Sequence, residues 1–361
     1  MRPTVLEIYP DNFKYNFNQI RNYVGNNVTV MPVIKADAYG TFLNRRLEFI
    51  QDFGIVAVAI SDEGAYLRDL GFENEIFILN QPSIYEIDSI IENHLTVGVA
   101  NFDFISKLNS AAKVAKKIVK IHLEIETGMN RTGFFISDLQ DCIDDILKMS
   151  NVYVDGVYSH LSSADVDEKY TEAQYWKFKE ATDFLLSKTS LKYIHLSASN
   201  GILNFNKFGF NTVRPGIILY GYKSFDECYE KLDLKPVACL KSKISFIKEL
   251  PVGEKIGYSG SYILDKPRKI ATVPIGYADG LDRSLSNCGS VIVNDTLVPI
   301  VGKVCMDSFM IDVSDIDVQL YDDVYIWDNN LLSLEDVAGT ANTVNYEFLC
   351  RISKRVPRVF I

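Results

Sequence analysis

Across 361 residues the sequence has only six cysteines, four histidines and two tryptophans. The cysteines (Cys142, Cys228, Cys239, Cys288, Cys305 and Cys350) lie far apart and include no C-x-x-C pair. That spacing argues against a disulfide framework and suits free thiols in a reducing cytosol. His94, His122, His160 and His195 lack metal-ligand spacing, so nothing points to a metal centre. No apolar run approaches the length of a membrane span, and the N-terminal stretch lacks the basic and apolar regions of a signal peptide. A cytoplasmic protein is therefore expected. Positive charge is also short: 37 Lys and Arg face 47 Asp and Glu, a net charge of −10. Such a balance disfavours nucleic acid or an anionic membrane surface as partner, while leaving room for a local basic pocket that holds a phosphate. There is no low-complexity linker and no internal repeat.

The chain is long enough for two domains, and its 47% hydrophobic and 23% charged residues are ordinary for a globular protein. Short apolar, β-branched runs recur at about 30–36, 54–60, 75–80, 96–100, 118–125, 151–160, 192–198 and 211–219. Runs apolar on both faces fit buried parallel strands. Helical patterns separate them. Asp11 is a plausible N-cap before Phe13, Phe17, Ile20 and Val24, and Ser137 before Leu139, Cys142, Ile143 and Ile146. The alternation predicts an α/β chain with an N-terminal (β/α)8 TIM-like barrel over residues 1–233, with a doubly wound sheet as the alternative. From about residue 234 to 361, alternating runs such as LKSKISFI and SVIVN between Gly, Pro, Asn and Asp turns predict a mainly antiparallel β domain. The first strand, about 1–10, could pack with that second domain.

A barrel carries its chemistry at the carboxyl ends of its strands. Lys35, Arg131, His160, Ser199 and Arg214 all fall at or just after such ends. Lys35 follows the apolar run VMPVI; a lysine desolvated there loses ammonium stability and gains a nucleophilic amine. Read alone, a strand-end lysine more often snorkels to solvent. Ser199-Asn-Gly201 and Arg214-Pro-Gly-Ile217 could offer a hydroxyl and backbone N–H groups to a phosphate, although Gly and Ser turns are common everywhere.

Together the segments are specific. Val33-Ile-Lys-Ala-Asp-Ala-Tyr-Gly40, Glu126-Thr-Gly-Met-Asn-Arg-Thr-Gly-Phe134, Tyr158-Ser-His-Leu161, Val213-Arg-Pro-Gly-Ile-Ile-Leu-Tyr-Gly221, Pro274-Ile-Gly-Tyr-Ala-Asp-Gly280, Gly302-Lys-Val-Cys-Met-Asp307 and Asn345-Tyr-Glu347 follow in one order along the chain. In this the sequence resembles the alanine racemase family, fold type III enzymes dependent on pyridoxal 5′-phosphate (PLP). The resemblance implies that Lys35 binds PLP as a Schiff base. It implies that Tyr39, His160, Ser199, Arg214, Gly216, Ile217 and Tyr346 surround the cofactor, and that Arg131 and Met306 meet the substrate carboxylate. Lys35 and Tyr277 of the partner subunit would be the two acid–base groups on opposite faces of Cα, in a homodimer with shared active sites. A phenol needs a cationic neighbour to act as a base at neutral pH, and Arg214 and His160 would supply that help. An arginine facing the pyridine nitrogen donates a hydrogen bond without protonating the ring, which disfavours transamination. The implied activity is interconversion of L- and D-alanine, supplying D-alanine for peptidoglycan precursors. Racemisation of serine, lysine or another amino acid, PLP-dependent decarboxylation and non-catalytic PLP binding are the alternatives.

Three departures from the family pattern stand out. Glu124 occupies the place of a lysine that the family commonly carbamylates, and is expected to pair with Arg131 in its stead. Thr41-Phe-Leu43 replaces the usual His-Gly continuation. Asn200 follows Ser199 where an Asn would ordinarily precede it.

Overall fold

The computed structural model describes residues 3–205, 208–223, 231–328 and 330–361. Cys228 lies outside them; the five described cysteines are all free. Strand β1 (Val5–Ile8) is followed by a helix, Pro10–Val24, and then by eight parallel strands: β2 (Thr29–Val30), β3 (Ile55–Val58), β4 (Glu75–Ile78), β5 (Thr96–Val99), β6 (Val119–Glu124), β7 (Val152–Tyr158), β8 (Tyr193–Ala198) and β9 (Thr212–Arg214). Their order is β2-β9-β8-β7-β6-β5-β4-β3. A parallel bridge between Val33 and Ala57 closes the ring. The expected barrel is therefore present. All residues of β3 and β5 are buried, which is why those runs read as apolar on both faces.

The differences from expectation have local causes. The run at 30–36 is recorded as strand only at Thr29–Val30, although Met31 N–H and Val33 N–H go on to reach Val213 O and Pro215 O at 2.9 and 3.0 Å. Pro32 between them has no N–H to give, and the chain turns at Lys35. Likewise β9 stops at Arg214, because Pro215 follows and Ile217–Tyr220 forms a 3-10 turn. The first helix begins at Pro10, whose fixed φ suits the first helical position; Asp11 sits within its first turn and is not the cap. Phe135, not Ser137, precedes the helix Ile136–Leu147, which buries Leu139, Ile143 and Ile146.

The barrel interior is aromatic. Phe77 stacks on His122 at 4.4 Å and Tyr158 on His195 at 5.1 Å. His122 Nδ1 and His195 Nε2 lie 2.9 Å apart in this fully buried layer.

The second sheet combines β10 (Ala238–Lys243), β11 (Phe246–Leu250), β14 (Arg268–Val273), β15 (Ser290–Val293), β16 (Thr296–Val301), β17 (Phe309–Asp312), β18 (Asp323–Tyr325) and β19 (Arg358–Phe360) with β1, while β12 (Lys255–Ile256) and β13 (Tyr262–Ile263) pair separately. All these pairings are antiparallel except β1 with β19. β1 thus belongs to the second sheet, as its position before the barrel allowed.

Candidate active site

Lys35 opens a turn that few sequences adopt. Ala36, Asp37, Ala38 and Tyr39 all have φ between 52° and 54°, a left-handed turn without a glycine. Side chains resist that conformation at roughly 1–2 kcal/mol per residue, so the surroundings must hold it. Thr41 Oγ1 donates to Ala38 O at 2.6 Å, Arg45 Nη2 meets Asp37 Oδ1 at 2.8 Å, and Arg358 Nε donates to Gly40 O at 2.9 Å. Gly40 closes the turn at φ 75°, with its α-carbon packed on the backbone of Leu349 and Cys350. The departure at Thr41-Phe-Leu43 thus has a structural consequence: Thr41 ties off the turn. Phe42 lies between the Arg45 and Arg358 guanidiniums, with ring centroid distances of 4.0 and 4.2 Å.

The turn delivers Lys35 to a cavity of about 410 Å³ at the carboxyl ends of the barrel strands. Arg131, His160, Ser199, Arg214, Gly216, Ile217, Tyr39 and Tyr346 also line it. Tyr277 and Met306 do not. They sit on the second domain with 44% and 52% of their surface exposed. Tyr277 is held by backbone bonds: its N–H reaches Cys305 O at 3.1 Å, and the next N–H, of Ala278, reaches Met306 O at 3.0 Å. One chain therefore gathers nine of the expected site residues and leaves two on an open face.

The Lys35 side chain makes no hydrogen bond or ion pair with any described residue. Burial, then the Arg131 charge, push its pKa below the usual lysine range, with Arg214 adding to them; Glu63 and Cys350 act in the opposite direction. Arg214 is buried and has no carboxylate in ion-pair contact among the described residues. Nη1 donates to His195 Nδ1 and to His195 O, both at 2.8 Å; Nη2 donates to Ser159 O at 2.8 Å and lies 3.3 Å from His160 Nδ1. Its pKa is pushed down to about 10 by burial, and it stays protonated at neutral pH. A guanidinium only donates, so His195 must accept at Nδ1 and carry its proton on Nε2. His122 then accepts at Nδ1 and is protonated at Nε2, a buried atom with no partner among the described residues. Burial and then Arg214 push His160 down to about 3, so it is a neutral imidazole at pH 7. The cation beside it is Arg214, which corrects the expectation that both would supply positive charge.

Gly216 N–H donates to Ser199 Oγ at 3.1 Å, and a β-carbon on Gly216 would stand 2.5 Å from Tyr39 Oη. Tyr39 is pushed up by burial and keeps its proton. Asn200, the third departure, lines the cavity with a buried Oδ1 that has no donor among the described residues.

The expected pairing of Glu124 with Arg131 does not occur. Glu124 is 3% exposed at the end of β6 and accepts from Thr132 Oγ1 at 2.8 Å. No ion pair joins it to Arg131, which is exposed at the cavity edge. A glutamate is too short to follow the arginine outward and binds the next residue instead. Burial raises its pKa, opposed by the Thr132 and Tyr158 hydroxyls and then by the Arg131 and Arg214 charges. Tyr158 and Cys350 in the cavity wall, and His195 behind it on Arg214, were not singled out from the sequence; the Tyr158 hydroxyl donates to Leu79 O at 2.7 Å. Inward alternation along β7 and β8 is the signal that could have found Tyr158 and His195.

Two family models match: alanine racemase, N-terminal domain, over residues 8–224, and alanine racemase, C-terminal domain, over 237–360. An alanine racemase of Halothermothrix orenii is 39% identical, covering 99% of this chain and 97% of its own, and alanine racemase 1 of Clostridium acetobutylicum is 37% identical over 100% and 96%. Among solved structures, the alanine racemase of Clostridium difficile 630 superposes with a TM-score of 0.94 at 34% identity over 100% and 96% of the two chains. The Bacillus anthracis alanine racemase with bound L-Ala-P gives 0.92 at 31% over 100% and 95%.

Proposed function

The chain belongs to the alanine racemase family, and from that premise we propose that it interconverts L- and D-alanine with PLP held in the barrel cavity. The observation that carries this reading is the convergence on one cavity of an amine and two guanidiniums, Lys35, Arg131 and Arg214, that have no ion-pair partner among the described residues. The residues present fit the cofactor. Ser199 Oγ, the Gly216 N–H and the Tyr39 hydroxyl form a cradle that a β-carbon at 216 would fill. Asn200 Oδ1 offers a buried acceptor, and the Arg214 Nε–H, without an acceptor among the described residues, can donate to a ring nitrogen.

When bound, PLP supplies an electron sink that makes the Cα proton of an amino acid removable. Lys35 would hold the group and then take or return a proton at Nζ. Its lowered pKa keeps more of the amine neutral for that task. Tyr277 of the partner subunit would serve the opposite face of Cα, and the partner's Met306 would stand with Arg131 at the substrate carboxylate. Arg214, keeping its own proton, would donate to the ring nitrogen without protonating it and so would favour proton return over transamination. His160, neutral and 3.3 Å from Arg214, is placed to accept and orient rather than to charge. Tyr346, in the cavity wall 6.1 Å ring to ring from Tyr39, narrows the space for a substrate side chain. Such an enzyme would work as a homodimer in the reducing cytoplasm and supply D-alanine for peptidoglycan precursors. No helix among the described residues is long and apolar enough to cross a membrane.

Purified protein reconstituted with PLP should convert L-alanine to the racemate faster than L-serine or L-lysine on chiral chromatography. Lys35→Ala should abolish the conversion. Inversion of serine or lysine ahead of alanine would refute the substrate, and PLP binding without inversion of any of the three would refute catalysis.

A further inference from the structure

Lys35 is followed by the left-handed turn, and the first peptide N–H after it, that of Ala36, is held by a side chain from another element. Glu63 lies in the first turn of the helix Ser61–Asp69. Its Oε1 accepts from Ala36 N–H at 2.6 Å and its Oε2 from Ala59 N–H at 2.7 Å. Ala59 directly follows β3, the strand that closes the barrel against Val33. One carboxylate therefore ties the closing strand to the turn that carries Lys35. Among the described residues no lysine or arginine forms an ion pair with Glu63, and each of its oxygens accepts one bond of this bridge. The helix N-terminus on which it stands also favours its negative charge.

We propose that Glu63 is a positioning residue for Lys35: its carboxylate fixes the peptide at which the turn departs and places a negative charge beside the residue that carries the amine. The proposal rests on Lys35 being the functional amine. Around that amine stand Arg131 from the loop after β6, Arg214 from β9, His160 after β7, Cys350 from the helix Asn345–Arg351 and Tyr39 from its own turn. Arg131 and Arg214 disfavour the ammonium; Glu63 and Cys350 favour it. His160 carries no charge at pH 7. Glu63 is the one carboxylate among these influences.

Glu63→Gln preserves shape but removes the charge, and leaves one oxygen for two N–H donors. The test measures the rate at which acetic anhydride modifies Lys35 in the cofactor-free protein across pH, read by peptide mass spectrometry. The midpoint should move to lower pH by about half a unit, roughly threefold in neutral-amine fraction. Asp62→Asn, which removes an exposed carboxylate from the same first turn, should move it much less. In the PLP-loaded enzyme Glu63→Gln should lower kcat about tenfold with a smaller change in KM, and Glu63→Asp should restore part of the midpoint shift but little of the kcat. An unmoved midpoint in folded Glu63→Gln, or an equal shift in Asp62→Asn, would overturn the proposal. Borohydride reduction of PLP-loaded wild type, with the adduct mapped to its lysine, separates this from failure of the functional reading: an adduct away from Lys35 would refute that reading whatever Glu63 does.

Discussion

Lys35 lies inside the cavity while Tyr277 is 44% exposed on the other domain of the same chain. If both act on one substrate, they act across a dimer, and mixing tests this quantitatively. Lys35→Ala and Tyr277→Phe should each be nearly inactive, since loss of a positioned acid–base group costs on the order of 10²–10⁴ in rate. Equal amounts of the two variants, co-expressed or allowed to exchange, give dimers in a 1:2:1 ratio. Half are mixed, and each mixed dimer has one site with both residues intact and one with neither. Activity should therefore return to about one quarter of wild type. The converse mixture is sharper. Wild type mixed equally with a chain carrying both substitutions should show about one quarter of wild-type activity if sites are shared, because every site of a mixed dimer lacks one group. Sites complete within one chain would retain about one half. Racemisation by chiral chromatography at a fixed total concentration reads both numbers, with tagged chains to verify exchange. No rescue in the first mixture and one half in the second would refute the shared site.

Gly216→Ala places a β-carbon 2.5 Å from Tyr39 Oη and should weaken PLP affinity more than tenfold, measured by absorbance titration; unchanged affinity would remove this cradle from the site. Ser199→Ala leaves the Gly216 N–H without its acceptor and should cost about 1–3 kcal/mol of stability or cofactor binding, read as a lowered Tm or a weaker Kd. Glu124, whose folded pKa is raised by burial, binds its proton more tightly folded than unfolded, so its contribution is present at low pH and lost as pH rises above the ordinary glutamate range. Glu124→Gln should therefore gain stability relative to wild type as pH rises above the ordinary glutamate range in thermal melts, and a gap that does not widen with pH would contradict this. His122 and His160 are both held near about 3, so the unfolded chain binds protons that the folded one refuses once pH falls below about 6.5. Each should subtract about 1.4 kcal/mol of stability per pH unit below that point, and His122→Gln should halve the steepness contributed by this pair in urea melts at stepped pH.

The barrel was legible because parallel strands buried on both faces leave continuous apolar runs, as in IVAV at β3 and TVGV at β5. Lys35, His160, Ser199 and Arg214 were legible by their place at strand ends, and strand-end residues must converge once the sheet closes. What could not be read was set by long-range geometry. The left-handed turn uses Ala36, Asp37, Ala38 and Tyr39, none of them the glycine that signals positive φ, so its evidence lies in distant partners such as Arg358 and Glu63. The fate of Glu124 was hidden in the same way: charge pairing predicted Arg131, but the nearest donor within reach of a short side chain was Thr132.

These two glutamates complete the electrostatic argument. The cavity faces Lys35, Arg131 and Arg214, and none of the three has an ion-pair partner among the described residues. Both carboxylates nearby are engaged elsewhere: Glu63 caps two peptide N–H groups under the turn, and Glu124 is buried on Thr132 with its ionised form disfavoured. His160 and His195 are neutral for the same reason, burial beside Arg214. Positive charge concentrated at one cavity raises the affinity for anions and lowers the stability of the empty protein. On the proposed function, a phosphate and an amino-acid carboxylate would supply that negative charge together. PLP and substrate, if bound as proposed, should consequently stabilise the fold more than their contact area alone would give, while in the chain itself buried Arg214 is held by His195 and by the carbonyls of Ser159 and Leu196.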